Sequence, residues 1–214
     1  MLSLRAIIYT SRTAIRQSDM KRIIAYASVA HMNTTLVGLF SLTQQGVDGA
    51  LLQMLSHGLV SGALFMCVGV LYDQHHTRMV SYYGGVAQMM PVFTMLFLFF
   101  TMANIALPGT SSFVGEFMIF MGVFQVNTFV GVMSATGMVL GGAYSLWLFN
   151  RVAYGNPKLT FVGNSVDVSP REFYSFLPLV VLTLVLGVLP GFVLDGISVS
   201  TATLIGRVTS MGSV

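Results

Sequence analysis

Glu116 is the most unusual residue of this sequence, because it stands alone in a long apolar region. It is the only formally charged residue between Arg78 and Arg151. A carboxylate in hydrocarbon costs several kcal/mol unless it is paired, hydrated or protonated. A carboxyl group buried among apolar residues can also bind and release protons near neutral pH. We therefore interpret Glu116 as a candidate proton-exchange group and give a purely structural role less weight.

Two histidines and one lysine in other apolar segments could serve the same chemistry. His31 and His57 each lie well inside an apolar stretch, and Lys21 shares a helical face with Ser28 and His31. Imidazole titrates near neutrality and can carry a proton on either nitrogen. With water or hydroxyls between them, these groups would form a proton relay. The alternatives are that each histidine only bonds two helices together and that Lys21 only extends to the membrane surface.

A break interrupts the apolar stretch that carries Glu116. The break consists of Leu107, Pro108, Gly109 and Thr110. Such a break frees backbone groups that lipid cannot satisfy, so it normally lines a polar cavity. The pattern predicts one broken helix over 89–125, with helical pieces near 89–106 and 112–125 and a link at 107–111.

The composition is that of a membrane protein. The chain has 214 residues, of which 55% are hydrophobic and only 8% charged, and its mean hydropathy is +0.80. Soluble domains are about 25% charged. The length allows about six transmembrane helices, so we predict an all-α, polytopic membrane protein. The single cysteine, Cys67, excludes an intrachain disulfide and cysteine-based iron–sulfur or zinc sites. No motif indicates a metal, a redox cofactor or nucleic acid.

The order of apolar and polar segments predicts the organisation of the chain. Asp19 is a plausible N-cap for a helix over 20–43, and residues 44–49 are predicted to form a turn before a helix over 50–72. A further helix is expected near 129–154, and a last span over 172–189. We divide the chain into a partial transmembrane helix (1–18), a central unit (19–154) with the broken helix, a polar loop (155–171), and a last span with an amphipathic tail (172–214).

The basic residues predict the orientation. If the loops near 12–22, 73–85 and 151–171 share one side, that side holds eight of the ten basic residues. By the positive-inside rule this side faces the cytoplasm or the mitochondrial matrix. The eight residues are Arg12, Arg16, Lys21, Arg22, Arg78, Arg151, Lys158 and Arg171.

Several long motifs occur in order along the chain. They are DMKRIIAYASVAHM at 19–32, LSHGLVSGALF at 55–65, LYDQHHTR at 71–78, ALPGTSSFVGEF at 106–117 and AYSLWLFNRV at 143–152. In these motifs the sequence resembles the subunit 4 family of NADH:ubiquinone oxidoreductase (respiratory complex I), which are antiporter-like, proton-pumping membrane subunits. The motif LYDQHHTR is most similar to the mitochondrial plant and algal type. The resemblance covers the C-terminal part of that family, from its ninth helix onward.

The resemblance implies a fold and a role for each candidate residue. The chain would supply the second of two inverted five-helix repeats, plus the last helix. Glu116 would be the outward-side exchange carboxylate on the broken helix, His31 and His57 the central relay, and Lys21 a basic residue at the start of the tenth helix. FMN, iron–sulfur clusters and ubiquinone would be held by other subunits of the complex, in the inner mitochondrial membrane. Membrane-arm subunits and lipids such as cardiolipin would be partners, and nucleic acid would not.

One part of the family pattern is missing. The inward-side Glu/Lys pair and a central lysine have no counterpart in this sequence. We therefore expect a split-gene product that assembles with a separate N-terminal half, or else a fragment. Two alternatives share the fold: a cation/proton antiporter subunit of the Mrp type, and an architectural membrane subunit without a proton path.

Overall fold

The computed structural model describes residues 1–156, 158 and 165–211. Within these residues the chain is all-α, with nine helices and one short 3-10 turn at Val80–Tyr82. The helices are α1 (Leu2–Ile15), α2 (Met20–Phe40), α3 (Gln44–His75), α4 (Val86–Met89), α5 (Pro91–Asn104), α6 (Ser111–Val126), α7 (Thr128–Ala153), α8 (Pro170–Val188) and α9 (Gly191–Met211).

In the part of the chain that the structure describes, five helices are long and apolar enough to cross a membrane: α2, α3, α7, α8 and α9. The shorter apolar helices α5 and α6 are the two halves of the broken helix. The predicted all-α membrane fold is therefore confirmed. Residues 157 and 159–164 of the predicted polar loop, and 212–214 of the predicted tail, lie outside the described residues.

Several of the described helices begin at capping residues that the sequence supplies. The Asp19 side chain accepts a hydrogen bond from the Lys21 backbone N–H at 3.0 Å, as predicted. Asn127 accepts bonds from two backbone N–H groups at the start of α7. Asp167 lies in the polar loop and caps α5 from a distance, since its two oxygens accept bonds from the backbone N–H groups of Val92 and Phe93, each 3.0 Å long.

The predicted turn at 44–49 is wrong, because these residues form the first turns of α3. The chain reverses earlier, at Leu42, whose φ is +53°, and the Thr43 side chain caps α3. The glycines that suggested a turn serve a close helix contact instead. A Cβ atom on Gly49 would lie 2.8 Å from the Ile119 backbone nitrogen of α6, and one on Gly46 would lie 2.9 Å from the Gly38 carbonyl oxygen of α2.

The break in the apolar stretch occurs where the sequence predicts it. Helix α5 ends at Asn104, and α6 begins at Ser111. The link contains two residues with positive φ, Ala106 at +64° and Gly109 at +97°. A Cβ atom on Gly187 of α8 would lie 2.3 Å from the Gly109 carbonyl oxygen. Protein backbone therefore covers part of the link, as is expected of non-helical backbone at membrane depth, although Leu107, Pro108 and Gly109 are exposed.

The three basic loops lie together at one end of the bundle. The Met20 N–H donates to the Arg78 carbonyl at 3.0 Å, and the Gly85 N–H donates to the Tyr154 carbonyl at 3.3 Å. The Lys158 ammonium donates to the Ser81 carbonyl. These bonds join the segments that were predicted to share one side. We call this end the basic end and the opposite end the distal end.

The predicted amphipathic tail is the helix α9, most of which is exposed. It is held to the distal end of α3 by one buried hydrogen bond. The Thr201 hydroxyl donates to an oxygen of Asp48 at 2.6 Å, and the two residues are 5% and 6% exposed.

Replacing Thr201 with valine should loosen α9 and leave the rest of the fold intact. The change keeps the side-chain shape but leaves a buried carboxylate without its donor, at a cost of about 1–3 kcal/mol. Hydrogen–deuterium exchange across 195–208 should rise in Thr201→Val. Thr203→Val is the matched control, because Thr203 is exposed on the same helix and its hydroxyl donates to the local Ser200 carbonyl. Equal exchange in the two variants would show that the Asp48 bond does not hold the helix.

Candidate proton-transfer site

Glu116 lies at the meeting point of three helices. It is 3% exposed and sits on α6, close after the break. Its Oε1 atom lies 2.9 Å from His31 Nδ1 of α2 and accepts a hydrogen bond from Gln53 Nε2 of α3 at 3.2 Å. The carboxylate therefore has the buried partners that a charge at membrane depth requires.

His57 of α3 lies beside His31 and adds a third titratable residue to this cluster. The His31 and His57 rings are 5.6 Å apart, centroid to centroid, at an angle of 35°. His57 Nε2 is hydrogen-bonded to the Ser28 hydroxyl at 2.9 Å. The predicted residues Glu116, His31 and His57 thus come together, although they are far apart in sequence.

Two buried polar atoms of the cluster have no hydrogen-bond partner among the described residues. They are His31 Nε2 and Gln53 Oε1. Buried polar atoms in native proteins are normally bonded to protein or ordered water. Of these two residues, His31 also lines a small cavity.

A small cavity adjoins the His31–Glu116 pair. It has a volume of about 10 Å³ and is lined by Thr34 and Tyr144 as well as by the pair. A cavity of this size holds about one water molecule, and a polar lining makes hydration favourable. The cavity therefore provides space for about one water molecule beside the carboxylate.

A group of three serines fixes the start of α6. The Ser56 hydroxyl lies 2.7 Å from that of Ser111 and 2.9 Å from that of Ser112. Ser56 precedes His57 on α3, so the same contact that holds the broken helix also helps to position His57. The group is buried.

The close approach of α6 to α3 depends on Gly115. A Cβ atom there would lie 2.9 Å from Gln53 Cβ and 3.0 Å from its Cα. The glycine next to Glu116 therefore allows the carboxylate to reach the partners on α3 and α2.

Lys21 lies outside this cluster. Its side chain is exposed at the basic end and lines a cavity of about 340 Å³ with Tyr72 and Arg78. His31 is ten residues further along α2, which is about 15 Å at the α-helical rise. A relay role for Lys21 stays a prediction with no contact to support it.

The residues of the predicted link also lie apart from the cluster. Leu107, Pro108 and Gly109 are exposed, and Thr110 is buried. Their effect on Glu116 is indirect, because they set the point at which α6 starts. In the described part of the chain, no three His, Cys, Asp or Glu side chains come together as a metal site would require.

Two residues of the site were not predicted from the sequence. Gln53 lies four residues before His57, so the helical period places both on one face of α3. A polar pair at that spacing in an apolar helix was a usable signal. Tyr144, which is 2% exposed, carries no such signal, because a tyrosine in an apolar helix is usual packing.

Comparison with known proteins gives consistent matches. Residues 1–141 match the NADH:quinone oxidoreductase/Mrp antiporter transmembrane family. The chain is 56% identical over 204 residues to NADH-ubiquinone oxidoreductase chain 4 of Marchantia polymorpha, and 52% identical over 205 residues to NADH-quinone oxidoreductase subunit M of Rhodobacter capsulatus. These matches cover 95% and 96% of this chain but only 41% and 40% of the relatives, so the chain spans about two fifths of their length.

Solved structures agree with this assignment. A chain of respiratory complex I from Thermus thermophilus with bound NADH superposes with a TM-score of 0.85 at 29% identity, over 95% of this chain and 44% of that one. A chain of the Mrp complex from Dietzia has the same TM-score at 16% identity, over 98% of this chain and 47% of that one, which shows the shared fold alone. The broken helix, the buried carboxylate and these matches agree: the chain belongs to the NADH:quinone oxidoreductase/Mrp antiporter family and is homologous to chain 4 of NADH-ubiquinone oxidoreductase.

Proposed function

We propose that this chain is part of a proton-translocating membrane subunit of respiratory complex I. In this proposal Glu116 exchanges protons with the outward side, and His57 and His31 deliver them. The observation that supports it best is the 2.9 Å contact between Glu116 and His31, a buried carboxylate and a titratable ring inside a membrane bundle. Buried titratable groups that contact each other at membrane depth are typical of proton pathways.

The geometry suggests an order of transfer. A proton on His57 reaches the neighbouring His31 ring through a bridging water or hydroxyl, since the ring centroids are 5.6 Å apart. His31 then passes its Nδ1 proton to the Glu116 carboxylate, and the ion pair becomes a pair of neutral groups. Loss of that proton toward the distal end restores the carboxylate, which can again attract a proton to His31.

The energy for pumping would come from electron transfer on other subunits. The chain would then act within NADH:ubiquinone reductase, where FMN, iron–sulfur clusters and ubiquinone belong to those subunits. Its partners would be the other membrane-arm subunits, lipids such as cardiolipin, and the N-terminal half of the same subunit on a separate polypeptide. The inward part of the proton path would lie on that half. The relatives named for ubiquinone are consistent with the inner mitochondrial membrane.

Glu116→Gln tests this proposal. The amide preserves size and can still form hydrogen bonds, but it cannot carry a proton. In the assembled complex reconstituted into liposomes, we expect proton pumping to fall by about a hundredfold or more, because a positioned proton donor or acceptor contributes about 10²–10⁴. Asp195→Asn, at an exposed carboxylate of α9, is the control. Normal pumping by Glu116→Gln would rule out the exchange role.

A further inference from the structure

Gln53 is a buried amide to which the proposed relay assigns no role. It lies on α3 and is 1% exposed. Its Nε2 atom donates to Glu116 Oε1 at 3.2 Å, and His31 Nδ1 contacts the same oxygen at 2.9 Å. The glutamine and the proposed proton donor therefore meet at a single atom of the carboxylate.

The oxygen of this amide has no hydrogen-bond partner in the described part of the chain. Gln53 Oε1 is buried, and no donor lies within bonding distance of it there. Buried side-chain oxygens are normally paired, because an unpaired one has lost its water without gaining a donor. The amide that bonds Glu116 through its nitrogen thus keeps an acceptor unused on the same carbon.

The backbone of α6 makes room for the amide. A Cβ atom at Gly115 would lie 2.6 Å from Gln53 Oε1, so a side chain there would push the amide out of its place. Small residues allow helices to approach each other closely in membranes. Because Gly115 directly precedes Glu116, neighbouring residues of one helix supply both the space for the amide and the carboxylate that it bonds.

The chemistry of the two groups gives the unused oxygen a purpose. An ionised carboxylate only accepts hydrogen bonds, whereas a protonated one also donates. An amide donates through nitrogen and accepts through oxygen, and it exchanges the two by turning over about its last side-chain bond. Gln53 can therefore bond Glu116 in both protonation states, as donor to the carboxylate and as acceptor from the carboxylic acid.

We propose that Gln53 is a positioning residue that retains the transferred proton on Glu116. When the proton moves from His31 Nδ1 to Glu116 Oε1, an N–H bond breaks and an O–H bond forms. Gln53 then turns over, and its oxygen accepts a hydrogen bond from the new O–H. This draws the O–H away from His31 and hinders return of the proton, while Gln53 itself gains none. The inference rests on the proposed function, because it needs His31 to be the donor to Glu116.

Gln53→Met tests this role, because methionine keeps the unbranched shape and removes both the donor and the acceptor. In the assembled complex in liposomes, we expect proton pumping to fall by about tenfold or more, the effect of losing one hydrogen bond to a charged group. Gln45→Met is the matched control on the same helix and should pump normally. Gln45 is exposed, and its Oε1 accepts from Gln125 Nε2 at 3.0 Å.

Infrared difference spectra of the assembled complex give a readout that a loss of packing alone would not move. The carbonyl stretching band of protonated Glu116 is the band that disappears in Glu116→Gln. In Gln53→Met this band should shift to higher frequency, because the carboxylic acid loses the oxygen that accepts its O–H. Gln53→Asn should give the same shift, since its amide is one methylene short of the 3.2 Å contact.

The two measurements together decide the role of Gln53. Normal pumping or an unshifted band in Gln53→Met, while Glu116→Gln is impaired, would overturn the role and leave the proposed function standing. If Gln53→Met does not assemble, the same criteria apply to Gln53→Asn, and failure of both to assemble would assign Gln53 to packing and overturn the role. If Glu116→Gln pumps normally, the proposed function fails and the role of Gln53 with it.

Discussion

Gly122→Ala is expected to prevent α6 from packing on α3, with a strong loss of folded protein. A Cβ atom at position 122 would lie 2.5 Å from the Gly46 backbone nitrogen and 2.6 Å from its Cα. Backbone atoms cannot move aside as a flexible side chain does, so the helices must separate. Overpacking of this kind costs about 1–3 kcal/mol, and occasionally more. Because α6 carries Glu116, the contacts of Glu116 with His31 and Gln53 are expected to be lost as well.

The measurement is the amount and thermal stability of the chain in membranes, read from native gels and thermal unfolding. Gly58→Ala is the matched control on α3, because a Cβ atom there has no neighbour within 4 Å. Alanine also favours helix by about 1 kcal/mol over glycine. Equal accumulation of the two variants would contradict the close-contact role of Gly122.

His31→Asn is expected to stop delivery of protons to Glu116 while the fold persists. His31 contacts the carboxylate through Nδ1, and the amide nitrogen of asparagine occupies nearly the same place. The variant can therefore keep a hydrogen bond to Glu116 but cannot carry a proton. Proton pumping in reconstituted complex should fall by about a hundredfold or more. His57 bonds through Nε2, so His57→Gln is the corresponding change at the other histidine.

We expect His57→Gln to be less severe than His31→Asn, because His31 is the one of these two histidines that contacts the Glu116 carboxylate. His76→Asn is the control. That residue is exposed at the end of α3 and has φ of +52°, a conformation that asparagine also adopts readily. Wild-type pumping in His31→Asn would remove the histidine from the path, and an equal loss in His76→Asn would show that the effect is not specific.

Much of the fold follows from local sequence. Long apolar runs predict membrane helices because lipid satisfies no backbone hydrogen bonds, and Pro108-Gly109 marks where such a helix must stop. Asp19 is a cap in sequence and in structure, because capping involves only neighbouring backbone groups. Glycine is less informative. Gly46 and Gly49 were assigned to a turn, whereas their lack of a side chain serves the contact with other helices.

The α9 helix also shows that local sequence does not predict contacts between distant segments. Its sequence indicates an amphipathic tail, and nothing local reveals that Thr201 bonds to Asp48, a partner 153 residues away. The cap of α5 by Asp167 is also distant in sequence, since Phe93 and Asp167 are 74 positions apart. Such contacts depend on the arrangement of whole helices.

The sequence alone indicated that a carboxylate and two histidines lie at membrane depth, because each stands inside a long apolar stretch. A charge in such a stretch is costly, which marked Glu116 as unusual. The sequence also placed Lys21 in the same relay, since helical periodicity reports which face a residue occupies but not what lies opposite. Tertiary structure decided that Glu116 meets His31 and Gln53, and that Lys21 remains at the basic end. The physical reason is that these relations join different helices, and their packing is set by side-chain shape over the whole bundle.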